Sequence, residues 1–105
     1  MEEGEWISVK LPKEVDILGL VYEVKEVDVV NKCIPRNGEI DFQKQLITID
    51  KWLSDDKKYI VLLHEIIHGE MEALGIEGIC DNENVVQSLA SSLYHTFKHL
   101  NITSS

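Results

Sequence analysis

Val61-Leu62-Leu63-His64-Glu65-Ile66-Ile67-His68 decides how this chain folds, because its polar residues can act together only if the stretch is helical. At 3.6 residues per turn, His64 and His68 lie on one face, about 6 Å apart along the axis. Two ring nitrogens can then converge on one zinc ion, with Glu65 beside the position of an activated water. The flanks matter as much as the motif. Val61, Leu62 and Leu63 precede it and Ile66 and Ile67 fill its interior, so the polar triplet is set in an apolar helix. Burying two histidines and a glutamate without partners is costly, and a metal supplies the missing partner.

Outward from the motif, both ends of this helix carry stop signals. Ser54 followed by Asp55 and Asp56 predicts an N-cap with acids in the first turn. Apolar positions continue at helical spacing through Met71 and Leu74 to Gly75, a C-terminal stop. After Ile76 to Cys80, Asp81 or Asn82 can cap a second helix. Its stripe, Val85, Val86, Leu89, Ala90, Leu93, Tyr94, Phe97 and Leu100, reads as core packing.

Upstream, the period changes to that of strands. Ile7, Val9 and Leu11 alternate with polar residues until Pro12, which predicts a short strand or an extended arm. Leu20 to Val30 is β-branched and alternating, with a phase slip at Lys25-Glu26 that predicts a bulge. Pro35-Arg36-Asn37-Gly38 is a turn signal. Glu39 to Asp50 reads as a hairpin folded at Gln43-Lys44, with Ile40 facing Ile47 and Phe42 facing Gln45. The expected class is α+β, a small antiparallel sheet of about three strands packed on two long helices.

The chain of 105 residues reads as a single domain, 1–105, with 1–5 and 101–105 expected to be flexible. A net charge of −9 argues against nucleic acid or an anionic membrane as partner. No apolar run approaches a transmembrane length, and Met1-Glu2-Glu3-Gly4-Glu5 is the opposite of a signal peptide. Cys33 and Cys80 are isolated, so the expected location is the cytoplasm, with reduced thiols.

A catalytic zinc site needs a third protein ligand and an open position. The longer pattern H-E-x-x-H-x-x-G-x-x-H would put its glycine on Met71 and its last histidine on Leu74, which excludes that class. Glu72 lies about 12 Å along the axis from His64, too far to share an ion with both histidines. Glu83 is within reach. His68 stands about 9 Å before Leu74, and residues 75–81 can span more than ~20 Å, so the chain can return to the motif. Cys80 is an alternative third ligand. His95 and His99 form another i, i+4 pair, but His95 sits about 18 Å beyond Glu83 along its helix and is read as a surface or helix-end residue.

Leu62 to His68 followed by Glu83 to Ala90 resembles the ImmA/IrrE-type metallopeptidases. More narrowly, it is similar to small phage and prophage proteins with a stripped-down version of that zincin core. In that family the downstream helix begins with a ligand glutamate. Small or apolar residues follow at +3, +6, +7 and +10, often with an amide at +4. Val86, Leu89, Ala90, Leu93 and Gln87 fill those places. The resemblance extends back to the hairpin Gly38 to Asp50, roughly two thirds of the chain.

The resemblance implies a minimal zincin-like domain in which His64, His68 and Glu83 hold one zinc ion per chain. Glu65 would be the general base in hydrolysis of a peptide bond by zinc-activated water. The substrate, a peptide or protein, would be held at the sheet edge by strand addition. Tyr22, Tyr59, Tyr94 and His95 are the candidate oxyanion donors. The chain departs from the larger family members in having no helix-turn-helix domain, no sensory domain and no long helix before the sheet, so their regulation does not carry over. Two other readings stand beside this one. One is a zinc-stabilised protein-binding module without proteolytic activity. The other is a metal-free interaction protein in which His64 and His68 are satisfied core residues. Glu65 discriminates against a closed zinc site, which needs no general base.

Overall fold

The computed structural model describes residues 10–34, 36–76 and 82–100. Strands β1 (Glu14–Ile17) and β2 (Leu20–Val27) form a hairpin in which Ile17 pairs with Leu20 and Glu14 with Glu23. Its two-residue turn, Leu18-Gly19, has φ of 51° and 94°. Positive φ at both positions matches the twist of the strands it joins. The Asp16 carboxylate accepts the Gly19 N–H at 2.7 Å and closes the turn. The alternation rules assign no strand to Glu14–Ile17, because leucine at a positive φ is not a turn signal.

From β2 the chain crosses to β3 (Gly38–Asp41), and β4 (Leu46–Asp50) returns between them, giving the order β1-β2-β4-β3. Among the described residues the sheet therefore has four strands, and β4 runs parallel to β2 while the other pairs are antiparallel. This corrects the expectation of about three antiparallel strands. The register from Glu23–Leu46 to Val27–Asp50 is unbroken, so β2 has no bulge at Lys25-Glu26. The phase slip there marks the end of the buried face. Tyr22 and Val24 are buried, and Glu26, next on the same face, meets Lys58 at 2.6 Å.

The β3–β4 hairpin pairs Ile40 with Ile47 as expected, but its ladder ends at Asp41–Leu46. Phe42 and Gln45 fall in the loop instead of pairing. There Asp41 accepts the Gln43 and Lys44 N–H groups, each at 3.0 Å, and Gln45 takes φ 53°. Of the expected strand at Ile7 to Leu11, residues 7–9 lie outside the described residues, and Leu11 packs against the core.

Helix α1 (Asp55–Leu74) has the expected ends. Ser54 accepts the Lys57 N–H, and Gly75 takes φ 70°. The Gly75 N–H reaches the Glu72 carbonyl at 3.2 Å and Ile76 N–H the Met71 carbonyl at 3.0 Å, a Schellman closure. Helix α2 (Glu83–Leu100) starts from Asn82, whose side chain and carbonyl both accept from Val85 N–H.

The layers are sheet, α1, α2. Ile17, Tyr22, Val24, Ile47 and Ile49 pack on Leu62, while Leu63 and Ile67 on the other side of α1 pack on Val86 and Ala90. Ile66 touches both clusters. The helices thus stack in sequence, with α1 in the middle, instead of sharing the sheet face. Gly69 sets the spacing, since a Cβ there would lie 2.8 Å from Ile17 Cδ1 and 3.1 Å from Ile40 Cδ1. No helix among the described residues is long and apolar enough to cross a membrane.

Ile47 has no solvent exposure and Trp52 is 73% exposed, so the two sites test the layering. Ile47→Ala is expected to lower unfolding free energy in urea by about 2–5 kcal/mol. Trp52→Ala should change it by less than about 0.5 kcal/mol. Similar effects at both positions would contradict the assigned core.

Candidate metal centre

His64 and His68 stand one turn apart on the strip of α1 left between the sheet and α2, each with its side chain about 16% exposed. Glu83, in the first turn of α2, faces both. Its carboxylate lies 2.8 Å from His64 Nε2 and 3.2 Å from His68 Nε2. One donor atom from each residue falls within 4.8 Å of the other two. Donors around a tetrahedral zinc at ordinary bond lengths stand about 3.3 Å apart, so the three residues fit the ion with small side-chain adjustments. The donor set of two imidazoles and one carboxylate also suits zinc chemically.

The sequence singles out these three residues as candidate ligands, and the fold brings them together. It keeps the competitors apart. Glu72 is exposed and outside the group, and His95 stacks on His99 with ring centroids 4.3 Å apart. Cys80 lies outside the described residues.

Gln87 is the residue that spacing alone did not mark as part of the site. It lies one turn beyond Glu83, and its Oε1 accepts from His64 Nδ1 at 2.9 Å. That bond keeps a proton on Nδ1, so that Nε2, which faces Glu83 here, is the atom that would turn its lone pair to a metal. Gln87 Nε2 in turn donates to Ser91 Oγ at 3.4 Å. Glu83, Gln87 and Ser91 follow at i, i+4 and i+8, a period that could have flagged Gln87 once Glu83 was chosen.

Glu65 is the only buried charged residue among those described, at 7% exposure. Burial pushes its carboxyl up to about 7; the nearby Glu83 and Glu39 charges act in the same direction, and His64 and Arg36 oppose them. Glu83 shifts the other way. Partial burial pushes it up, but the His68 charge and hydrogen bonds from both histidines hold it below the usual carboxylate range. A carboxyl poised near neutrality beside three convergent donors can both take and return a proton.

All four residues border one cleft of about 430 Å³. Its other walls are Arg36 and Asn37, Gly38 to Ile40 of edge strand β3, Phe42, Val61 and Gln87. None of the four expected oxyanion candidates lines it. Tyr22 is buried in the core, Tyr59 stacks on Tyr94, and the Tyr94 hydroxyl donates to Asp56. His95 is on an exposed face of α2.

Compared with models of protein families, with curated proteins and with solved structures, the chain matches none of them.

Zinc titration of the metal-stripped protein checks the ligand set. Glu83→Ala is expected to weaken binding sharply and Gln87→Leu by about 10- to 100-fold, whereas His95→Ala leaves it unchanged. Loss with His95→Ala and none with Glu83→Ala would reassign the third ligand.

A second expectation concerns pH. A glutamate with an ordinary value of 4.5 titrates near 7 here, so between those values the folded state holds more protons than the unfolded one. Stability of the metal-stripped protein should therefore fall as pH rises through that window, by on the order of 3 kcal/mol. Glu83 contributes with the opposite sign, its stabilisation being lost as pH falls below the carboxylate range. Urea midpoints of Glu65→Gln should lack the fall toward pH 7; an undiminished fall would place its origin elsewhere.

Proposed function

We propose that this chain is a zinc-dependent metallopeptidase of the minimal kind that the ImmA/IrrE-type resemblance implies. The observation that carries the reading is the convergence of His64, His68 and Glu83 beside buried Glu65, all on a cleft bordered by an edge strand. His64, His68 and Glu83 would hold one zinc ion. When bound, zinc supplies Lewis acidity that eases deprotonation of water and polarises a carbonyl. Glu65 takes the proton of the attacking water and returns it to the leaving nitrogen, a task for which its place beside the three donors suits it. Gln87 keeps the His64 ring in register through Nδ1.

The substrate lies extended along β3, whose outer edge is free of a neighbouring strand among the described residues. Gly38 supports this placement. A Cβ there would overlap Val61 Cγ1 and lie 3.4 Å from Glu65 Oε2, so the start of β3 runs directly over the base. A binding module closed around zinc would need a fourth protein donor, and the group formed by the described residues holds three. The exposed Cys33 is free, in keeping with work in a reducing cytoplasm.

The test is hydrolysis of a mixed peptide library by the zinc-loaded protein, read by mass spectrometry. Chelation should abolish cleavage and added zinc restore it. Glu65→Gln should retain zinc by elemental analysis and lose about 10²- to 10⁴-fold in turnover. Undiminished turnover in Glu65→Gln would remove that residue as the base, and cleavage indifferent to metal would remove the whole proposal.

A further inference from the structure

We infer that Arg36 sets the substrate preference of the cleft by pairing with a carboxylate carried by the bound peptide near its scissile bond. The inference rests on the peptidase reading and adds the substrate class to it. Arg36 is the chain's only arginine, in a sequence with 19 acidic residues and 10 basic ones. Among the described residues it is also the only lysine or arginine lining the cleft, whose other described ionisable walls are Glu39, Glu65, Glu83 and the two histidines.

An arginine in such a chain would be expected to pair with one of the many acids. Four of the nine lysines do so: Lys25 with Glu23, Lys51 with Asp28, Lys58 with Glu26 and Lys98 with Asp56. Arg36 makes no ion pair among the described residues, and its side chain is exposed at the cleft wall. Its guanidinium fork is left available, and that fork matches a carboxylate with two parallel hydrogen bonds.

Position makes the preference specific. Arg36 precedes Gly38 by two residues, so no more than about 7 Å of chain separates it from the point where β3 passes over Glu65. A peptide added along β3 therefore brings one end, or a side chain within a residue or two of the cleaved bond, to Arg36. Glu39 places a negative charge on the same wall, and Arg36 offsets its repulsion of an acidic group. The shared chemistry is a carboxylate, supplied either by the peptide C-terminus or by an Asp or Glu side chain.

The test uses the full chain loaded with zinc, as wild type, Arg36→Gln and Arg36→Lys. Three peptide libraries serve as probes: C-terminal acids without Asp or Glu, the same peptides as amides, and amides containing Asp or Glu. Wild type should prefer one carboxylate-bearing library over plain amides. Preference for the first identifies the C-terminus and preference for the third the side chain. Arg36→Gln should raise KM for the preferred peptides by roughly 10- to 100-fold, with kcat within about twofold. Arg36→Lys should recover part of the loss.

Equal cleavage of all libraries, a preference for basic peptides, or a fall in kcat at constant KM on every peptide would overturn the inference. The last result would make Arg36 an oxyanion donor instead. Calorimetric binding of the same libraries to zinc-loaded Glu65→Gln separates the two layers. Arg36-dependent, carboxylate-selective binding without any hydrolysis by wild type would sink the peptidase reading and leave the role of Arg36. Hydrolysis without carboxylate selectivity would do the reverse, and absence of both would remove both.

Discussion

Helix α1 is enclosed from two sides, by the sheet across Leu62 and by α2 across Leu63 and Ile67, and a buried carboxylate sits within it at Glu65. Enclosure explains why the helix is apolar around most of its circumference. It also makes Glu65 expensive as an isolated anion, since transfer of a carboxylate out of water has a large desolvation cost. The metal-free protein meets that cost by favouring the neutral carboxyl, which is why the group titrates near 7. Packing and chemistry are therefore coupled at this residue. The layers that stabilise the fold are the same ones that tune the proposed base.

Close approach by two glycines turns that coupling into a site. Gly69 lets Ile17 and Ile40 settle on α1, and Gly38 brings the start of β3 against Val61 and Glu65. An added Cβ would displace the δ-methyls of Ile17 and Ile40 at Gly69, and at Gly38 it would collide with Val61 and crowd Thr48 O and Glu65. The site is thus defined by a separation between layers as much as by its donor residues.

Much of this was legible locally. Ser54, Gly75 and Asn82 act where their side-chain and backbone chemistry predicts, and HEIIH places His64 and His68 on one face. The pairing of Ile40 with Ile47 followed from a hairpin too short to allow many registers. What escaped depended on contacts distant in sequence or on unusual backbone. Leu18 adopts φ 51° in a turn whose other residue is glycine, so β1 left no clear signal. The parallel alignment of β4 with β2 arises because β3 is laid at the edge first, a choice that neither strand encodes alone. The tyrosines failed as oxyanion candidates for the same reason. Residue type permits the role, but Tyr22 is in the core and Tyr94 is engaged with Asp56. Arg36 went unnoticed inside a turn signal, and only the cleft geometry separates it from the other surface cations.

Helix α2 has to satisfy two demands with one rotation about its axis. Val86 and Ala90 are fully buried against α1, while Glu83, Gln87 and Ser91 occupy the adjoining strip toward His64. A rotation by one residue, about 100°, would expose the buried pair and swing the carboxylate away from both imidazoles. The two small apolar side chains therefore orient Glu83 through packing, independently of the connection that precedes the helix. An ion held by His64, His68 and Glu83 would tie α1 to α2 across that same interface. Metal affinity and helix packing would then report on one another, because each favours the same rotation.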